Sequence, residues 1–214
     1  MHVTVIKIGG SLLDLPDLGI RLTGFLSTLN GTRPLLISGG GQTADLVRNW
    51  DLTHQLGETA AHWLAIQSLA LNDRLLCELL PEIQSVSSIE AATSAWNQER
   101  IPVLSTFDFL TQNRGREYPA LPASWDVTSD SIAAWVTLTW PAEELILLKS
   151  VDLPENTSLS QLASAGLIDA YLPKLIDELP RVRWCNLRST TDVPQLATVT
   201  RGNSFQSKNA TGPA

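Results

Sequence analysis

The sequence is poor in cationic residues and has no cluster of them. Its 214 residues include 15 Lys and Arg against 22 Asp and Glu, which gives a formal net charge of −7. Proteins bind nucleic acids chiefly through basic patches that neutralise phosphates, so we expect no nucleic-acid partner. The composition does not exclude anionic small molecules, because a few lysines and backbone amides suffice to bind one phosphate group.

Cysteine and long apolar runs are also scarce. The two cysteines, Cys77 and Cys185, lie in apolar contexts and lack the short spacings of metal-ligand motifs, which predicts buried, reduced thiols and no metal site. No apolar run approaches the ~20 residues that a membrane-spanning helix needs, and the first residues lack the basic and then apolar layout of a signal peptide. These absences predict a cytoplasmic protein with no membrane partner.

Two common catalytic signatures are missing as well. No G-x-x-x-x-G-K-[ST] motif occurs in the chain, which excludes a P-loop enzyme. No persuasive Ser-His-Asp or Cys-His arrangement for nucleophilic catalysis is visible either. The candidate chemistry therefore lies in other glycine-rich and charged segments.

The most informative segment is Lys7-Ile8-Gly9-Gly10-Ser11, which directly follows the apolar run Val3-Thr4-Val5-Ile6. A lysine and two glycines at the end of a predicted strand place an ammonium group and backbone N–H groups together. Because glycine permits close approach of the backbone, the segment predicts a phosphate-binding loop. A tight turn without a ligand is the simpler alternative.

A second glycine-rich segment, Gly39-Gly40-Gly41, follows the predicted strand 34–38 and precedes a predicted helix. The amides of such a loop and the helix N-terminus form an anion site. Residues 39–44 also match the loose dinucleotide fingerprint G-x-G-x-x-G/A, which leaves a nicotinamide-dependent oxidoreductase as an alternative. Against that alternative, the next predicted element is the long helix 58–80, not a strand ending in an acid that could bind the ribose.

Strand-like and helical segments alternate along the chain, which predicts an α/β fold with a mainly parallel sheet covered by helices on both faces. The predicted strands are 3–8, 34–38, 102–105, 144–148, 182–186 and 197–200, and the predicted helices are 18–29, 43–50, 58–80, 89–96, 129–139, 158–165 and 173–179. We expect one domain over residues 1–205, with an acceptor lobe at about 1–140 and a nucleotide lobe at about 141–205. Residues 206–214 are predicted to form a disordered tail.

Three later segments carry charged residues at the ends of predicted elements. Asp130 lies at the start of a helix, where a capping role explains it, but an acid there can also hold catalytic lysines in place. Lys149 ends a buried strand, which is where open α/β sheets place ligand groups. Lys174 lies in the first turn of a short predicted helix, where a solvated surface lysine is the simpler alternative.

Taken in order, these segments resemble the amino acid kinase family over roughly residues 3–202. The resemblance implies a three-layer αβα sandwich, Mg·ATP-dependent phosphorylation and a homo-oligomer. It implies catalytic roles for Lys7, Lys174 and Asp130, with Asp130 keeping the two lysines aligned. The implied nucleotide-binding residues are Gly9, Gly10, Ser11, Lys149, Ser150 and Asp152, and the implied acceptor-binding residues are Gly39, Gly40, Gly41, Asp45, His62 and Thr128. No covalent intermediate is needed, because phosphoryl transfer depends on positioning and charge neutralisation.

Within the family, residues 39–48 and the segment His62-Trp63-Leu64-Ala65-Ile66 most resemble the kinases of methanofuran biosynthesis. This implies a phosphomonoester acceptor, [5-(aminomethyl)furan-3-yl]methyl phosphate, in one-carbon cofactor biosynthesis, with Asp45, His62 and Trp63 near its aminomethyl group. A kinase of a carboxylate such as acetylglutamate or glutamate, a UMP kinase, and a non-catalytic anion- or nucleotide-binding relative stay open as alternatives. His62 also fits a packing role, and Asp152 is followed by Leu153-Pro154 where the family commonly has glycine.

Overall fold

The computed structural model describes residues 2–113, 120–190 and 195–199, and within these ranges seven strands form one sheet. In chain order the strands are β1 (His2–Ile8), β2 (Thr32–Ser38), β3 (Ile83–Val86), β4 (Ile101–Leu104), β5 (Ala142–Lys149), β6 (Val182–Asn186) and β7 (Ala197–Thr198). Their order across the sheet is β3-β4-β2-β1-β5-β6-β7. All neighbouring strands are parallel except β6 and β7. The predicted mainly parallel sheet is confirmed.

Helices fill most of the connections between the strands. In the described ranges they are α1 (Leu18–Ser27), α2 (Gly41–His54), α3 (Glu58–Leu79), α4 (Ile89–Asn97), α5 (Thr106–Gln112), α6 (Ser129–Thr139) and α7 (Leu159–Ser164). Short 3₁₀ helices lie at Gly10–Leu12 and Leu172–Lys174. The bounds of α6 agree with the prediction, and those of the other predicted α-helices differ by a few residues.

The sheet has a hydrophobic cluster on each face, because successive side chains of a strand point to opposite faces. In β1, Val3 and Val5 belong to the cluster that contains the buried side chains of α6. Ile6 and Ile8 belong to the other cluster, which contains those of α1. Helices therefore cover both faces, and the predicted three-layer αβα sandwich is confirmed.

Three parts of the chain differ from the sequence prediction. The edge strand β3 was not predicted, because its two buried residues are separated by two exposed ones and show no alternation. The seven-residue helix α5 was not predicted either, since it follows β4 after a single residue and is too short for a clear helical period. The predicted helix 173–179 is instead the 3₁₀ helix Leu172–Lys174. Thr200 and the predicted tail 206–214 lie outside the described residues.

The predicted acceptor and nucleotide lobes share one continuous sheet. Strand β1 pairs with β2 on one side and with β5 on the other, so the division near residue 140 stays a prediction.

Cys185 is buried, Cys77 is partly buried, and both are free thiols. None of the helices in the described part of the chain is long and apolar enough to cross a membrane.

Candidate active site

The pairing of β1 and β5 brings two lysines together at the carboxyl end of the sheet. In the parallel register Lys7 lies beside Leu147, and Lys149 follows two residues later. Residues two apart on a strand share a face. The face shared by Val5 and Leu147 is the one covered by α6, so both lysines point toward the start of that helix.

Asp130, the second residue of α6, lies between the two lysines. The Nζ atom of Lys7 is 2.9 Å from Oδ1 of Asp130, and the Nζ atom of Lys149 is 2.8 Å from Oδ2 and 3.0 Å from Oδ1. Asp130 and Lys7 are both buried. We call Lys7, Asp130 and Lys149 the lysine–aspartate triad.

The triad carries one more positive charge than negative. Burial alone would raise the pKa of Asp130, but the ammonium groups of Lys149 and Lys7 hold it well below its usual range. Burial lowers the pKa of Lys149 to about 8; Asp130 opposes this shift and Lys7 adds to it. A bound anion favours the charged form of both lysines, so the triad is suited to a phosphate group.

The structure does not show the predicted alignment of Lys174 by Asp130, and the catalytic role of Lys174 stays a prediction. Among the described residues, Asp130 forms ion pairs with Lys7 and Lys149 and none with Lys174. Lys174 is exposed, and its Nζ atom lies 4.7 Å from the centre of the Tyr171 ring. The sequence analysis placed Lys149 in the nucleotide site but did not pair it with Asp130; because residues two apart on a strand share a face, residues 145, 147 and 149 lie on one face of β5.

The two glycine loops pack directly against each other. A Cβ atom on Gly10 would lie 2.1 Å from the backbone nitrogen of Gly41, and one on Gly39 would lie 2.4 Å from the backbone nitrogen of Gly10. No side chain fits between such backbones, which explains why both segments need glycine. The N–H of Gly9 donates to the carbonyl oxygen of Leu148 at 2.8 Å, which fixes the first loop to the end of β5.

The second glycine loop leads into α2, which begins at the cleft. The side-chain amide of Asn72 donates to the carbonyl oxygens of Gly39 and Gly40, at 2.8 Å each. Gly41 has a φ of +54°, a conformation that favours glycine. The first N–H groups of a helix have no acceptor within the helix, so the start of α2 can bind the anionic end of a ligand.

A cleft of about 560 Å³ joins the triad to the glycine loops and to α3. The Nδ1 atom of His62, on α3, lies 2.8 Å from the carbonyl oxygen of Ser124 and must donate to it. Burial lowers the pKa of His62, against opposing effects of that bond and of Glu58. His62 is therefore a neutral imidazole whose Nε2 accepts hydrogen bonds.

The far wall of the cleft is formed by side chains of α2 and by Trp125. The guanidinium of Arg48 lies 2.6 Å from Oδ1 of Asp45 and 5.0 Å from the centre of the Trp125 ring. The indole N–H of Trp125 donates to Asp51 at 2.9 Å. The ring of Trp63 packs edge-on against His62 and Phe107, and its predicted place near the acceptor stays a prediction.

The predicted nucleotide-binding residues divide into two groups. Gly9, Gly10, Ser11, Lys149 and Ser150 all line the cleft, and the hydroxyl of Ser11 donates to that of Ser150 at 3.0 Å. Asp152 instead accepts a hydrogen bond from Asn186 at 3.1 Å. Of the predicted acceptor-binding residues, Gly40, Gly41, Asp45, His62 and Thr128 line the cleft.

Asp169 also lines the cleft and was not predicted from the sequence. Its carboxylate accepts hydrogen bonds from the backbone N–H and the hydroxyl of Thr128, both at 2.9 Å. The hydroxyl of Thr128 is therefore bound to Asp169. No short sequence motif marks this residue, because Thr128 precedes it by 41 positions.

Comparisons with known proteins identify the family of the chain. A model of the amino acid kinase family matches residues 2–153. The [5-(aminomethyl)furan-3-yl]methyl phosphate kinase of Methanocaldococcus jannaschii is 28% identical over 153 residues, which cover 71% of this chain and 67% of that protein.

Solved structures show the same fold at low sequence identity. The uridylate kinase of Archaeoglobus fulgidus has a TM-score of 0.58 and 20% identity, with 86% of this chain and 89% of that one covered. The aspartate kinase of Synechocystis has a TM-score of 0.59 and 12% identity, with 96% and 41% covered. The predicted family is confirmed: the chain belongs to the amino acid kinase family and is a phosphotransferase.

Proposed function

We propose that the protein transfers the γ-phosphoryl group of ATP to a phosphomonoester, with [5-(aminomethyl)furan-3-yl]methyl phosphate as the acceptor. A phosphate oxygen of the acceptor attacks the γ-phosphorus, the bond to the β-phosphate oxygen breaks, and the products are ADP and a diphosphate. The observation that carries this proposal is the lysine–aspartate triad beside two glycine loops. The M. jannaschii relative is named for the same acceptor.

Lys7 and Lys149 are the proposed charge-neutralising residues of the reaction. Phosphoryl transfer passes through a loose transition state with negative charge on the phosphoryl oxygens, so fixed positive groups lower its energy. Asp130 keeps both ammonium groups in place and satisfies their hydrogen bonds in the absence of ligand. In this proposal Lys149 takes the place that the sequence analysis gave to Lys174.

The phosphate groups of ATP fit the donors that the site offers, and Mg²⁺ would be bound through those phosphates. Backbone N–H groups and ammonium groups bind phosphate oxygens, and both are present at the glycine loops and the triad. In the described part of the chain, no cluster of three His, Cys, Asp or Glu side chains could hold a metal ion. Mg²⁺ commonly binds through substrate phosphates, and it would supply charge neutralisation there.

The proposed acceptor site lies between the start of α2 and His62. The helix N-terminus and Arg48 offer N–H groups for a phosphate. Asp45 and the neutral Nε2 of His62 accept hydrogen bonds, as an aminomethyl group requires. Trp125 lines the cleft beside Arg48 and supplies an aromatic side chain for contact with the furan ring.

A panel of acceptors tests the proposal. The purified protein is incubated with ATP, Mg²⁺ and one acceptor at a time, and ADP release and product mass are measured. We expect turnover with the aminomethylfuran phosphate and none with acetylglutamate, glutamate or UMP. Efficient phosphorylation of a carboxylate or of UMP would contradict the acceptor assignment. ATP binding without turnover of any acceptor would favour a non-catalytic relative.

An Arg48→Ala variant sharpens the acceptor assignment. Arg48 is exposed and lies on the acceptor side, so its loss should raise KM for the acceptor and leave KM for ATP near the wild-type value. An equal rise in both constants would place Arg48 outside the acceptor site.

Homo-oligomerisation and cytoplasmic localisation stay predictions.

A further inference from the structure

Asp169 is a buried carboxylate with six hydrogen-bond donors around it. Its Oδ2 accepts from the N–H and hydroxyl of Thr128 and from the N–H of Ser131, each at 2.9 Å. Its Oδ1 accepts from the hydroxyl of Ser131 and from the N–H groups of Tyr171 and Leu172, the latter two at 3.2 and 2.8 Å. One side chain thus binds the start of α6 and the start of a 3₁₀ helix.

This carboxylate replaces the usual capping residue of α6. Thr128 occupies the N-cap position, but its own side chain makes no capping hydrogen bond. Asp169 supplies the missing acceptor from a distant part of the chain. Asp130 lies between Thr128 and Ser131, the two residues that Asp169 holds, so its backbone is fixed on both sides.

The same segment also contacts Lys149. The carbonyl oxygen of Leu167, two residues before Asp169, accepts a hydrogen bond from Nζ of Lys149 at 2.6 Å. The segment 167–169 therefore holds both the carboxylate of the triad, through α6, and one of its lysines.

We propose that Asp169 is a positioning residue for phosphoryl transfer: by fixing the first turn of α6, it holds Asp130 between Lys7 and Lys149. This proposal rests on the proposed function, in which the triad neutralises the transferred phosphoryl group. Asp169 acts on the reaction through Asp130 and Lys149.

Charge gives a second link between Asp169 and Lys149. The charged groups acting on Lys149 are Asp130 from α6, Lys7 from β1 and Asp169 itself. Burial lowers the pKa of Lys149 to about 8, Asp130 raises it, Lys7 lowers it, and Asp169 raises it. Loss of the Asp169 charge should therefore lower the pKa of Lys149 further and increase the neutral fraction of Lys149 near pH 8.

The test uses Asp169→Asn and the Nζ titration of the lysines. The chain has only four lysines, Lys7, Lys149, Lys174 and Lys208, so their side-chain NMR signals can be followed one by one without substrate. We expect the Lys149 signal of the folded variant to titrate at lower pH than in the wild type. We expect kcat to fall more than tenfold, KM for ATP to change less, and the alkaline limb of the kcat–pH profile to move to lower pH.

Ser88→Ala is the matched control for loss of a helix cap. Ser88 caps α4 by accepting from the N–H of Ala91, outside the residues that line the cleft. This variant should lose stability without any change in the Lys149 titration. If Asp169→Asn is folded and has the wild-type Lys149 titration and kcat–pH profile, Asp169 is a structural cap only and the proposal is overturned.

Ser131→Ala decides the question if Asp169→Asn does not fold. It removes one of the six donors and leaves the Asp169 charge in place. We expect kcat to fall severalfold relative to Ser88→Ala at equal loss of melting temperature; equal kcat values would overturn the proposal. Because the NMR titration needs no substrate, failure of the proposed function, seen as wild-type inactivity with every acceptor, is distinguishable from failure of this proposal.

Discussion

The two sides of the cleft are held together by different means. On the glycine side, defined as Gly9, Gly10 and residues 39–41, backbones approach too closely for any side chain to fit between them. On the charged side, defined as the lysine–aspartate triad and Asp169, buried side chains hold one another through ion pairs and hydrogen bonds. Adding an atom should therefore destabilise the glycine side, and removing a charge should destabilise the charged side.

The largest expected loss of stability and activity follows from removing the carboxylate of Asp130, which the two lysines share. Asp130→Asn leaves two buried ammonium groups without their counter-charge, and breaking such a pair costs about 3–5 kcal/mol of unfolding free energy. Activity should fall about 100-fold or more, because the lysines lose their positions. Urea unfolding with and without added pyrophosphate measures the first effect, and the anion should restore part of the lost stability.

Asp17→Asn is the control for that change. Asp17 forms a partly exposed ion pair with Arg21 at 2.8 Å, and such pairs contribute less than about 1 kcal/mol. Wild-type stability in Asp130→Asn would show that the charged side does not depend on its ion pairs, and the contrast between the two sides would disappear.

An intermediate loss of stability is expected when a methyl group is added on the glycine side. Gly10→Ala places a Cβ atom 2.1 Å from the backbone nitrogen of Gly41, and overpacking of this kind costs about 1–3 kcal/mol. Gly24→Ala, in α1, meets no atom within 4 Å and should stabilise the protein by about 0.4–1 kcal/mol. Thermal unfolding of both variants measures the difference; equal melting temperatures would contradict the close packing of the two loops.

The last expected effect on stability is a pH dependence beneath the glycine side. Asp73 is buried and accepts from the hydroxyl of Ser38 at 2.6 Å, while its Oδ2 has no hydrogen-bond partner among the described residues. Burial raises the pKa of Asp73 to about 7 from its ordinary 3.8; the Ser38 bond lowers it, and Asp108 raises it. The folded state therefore holds an extra proton between these pH values, and this stability is lost as the pH rises through about 7.

Asp73→Asn measures that contribution directly. Wild-type protein should lose about 2 kcal/mol of unfolding free energy between pH 5.5 and pH 8 relative to the variant. Urea unfolding of both proteins at the two pH values gives the difference. A difference that does not change with pH would show that the carboxyl of Asp73 is ionised in the folded protein throughout this range.

The same contrast explains what could be predicted from the sequence. The residues of the glycine side lie in two short contiguous segments of the sequence. The alternation of strands and helices places both loops at the carboxyl edge of the sheet. The fold class, the family and the residues of the two loops were therefore predictable. The bounds of short elements such as β3 and α5 were not, because their burial pattern depends on neighbours distant in sequence.

The charged side depends on contacts between residues far apart in the chain. Lys7 and Asp130 are separated by 123 positions, and Asp169 meets Thr128 across 41 positions. Such pairs leave no local pattern in the sequence. The resemblance to a family therefore suggested Lys174 as the second lysine beside Asp130, whereas the structure shows Lys149 there. Trp125 was missed for the same reason, since only the folded chain brings it to Arg48.

The most direct measurement compares two lysine variants in steady-state kinetics with ATP and the aminomethylfuran phosphate. Lys149→Ala should lower kcat about 100-fold or more, because it removes positive charge next to the transferred group. Lys174→Ala should change kcat by less than about threefold, because Lys174 is exposed and lies apart from Asp130. A large loss in Lys174→Ala together with near-normal turnover in Lys149→Ala would contradict the proposed role of Lys149 and return that role to Lys174.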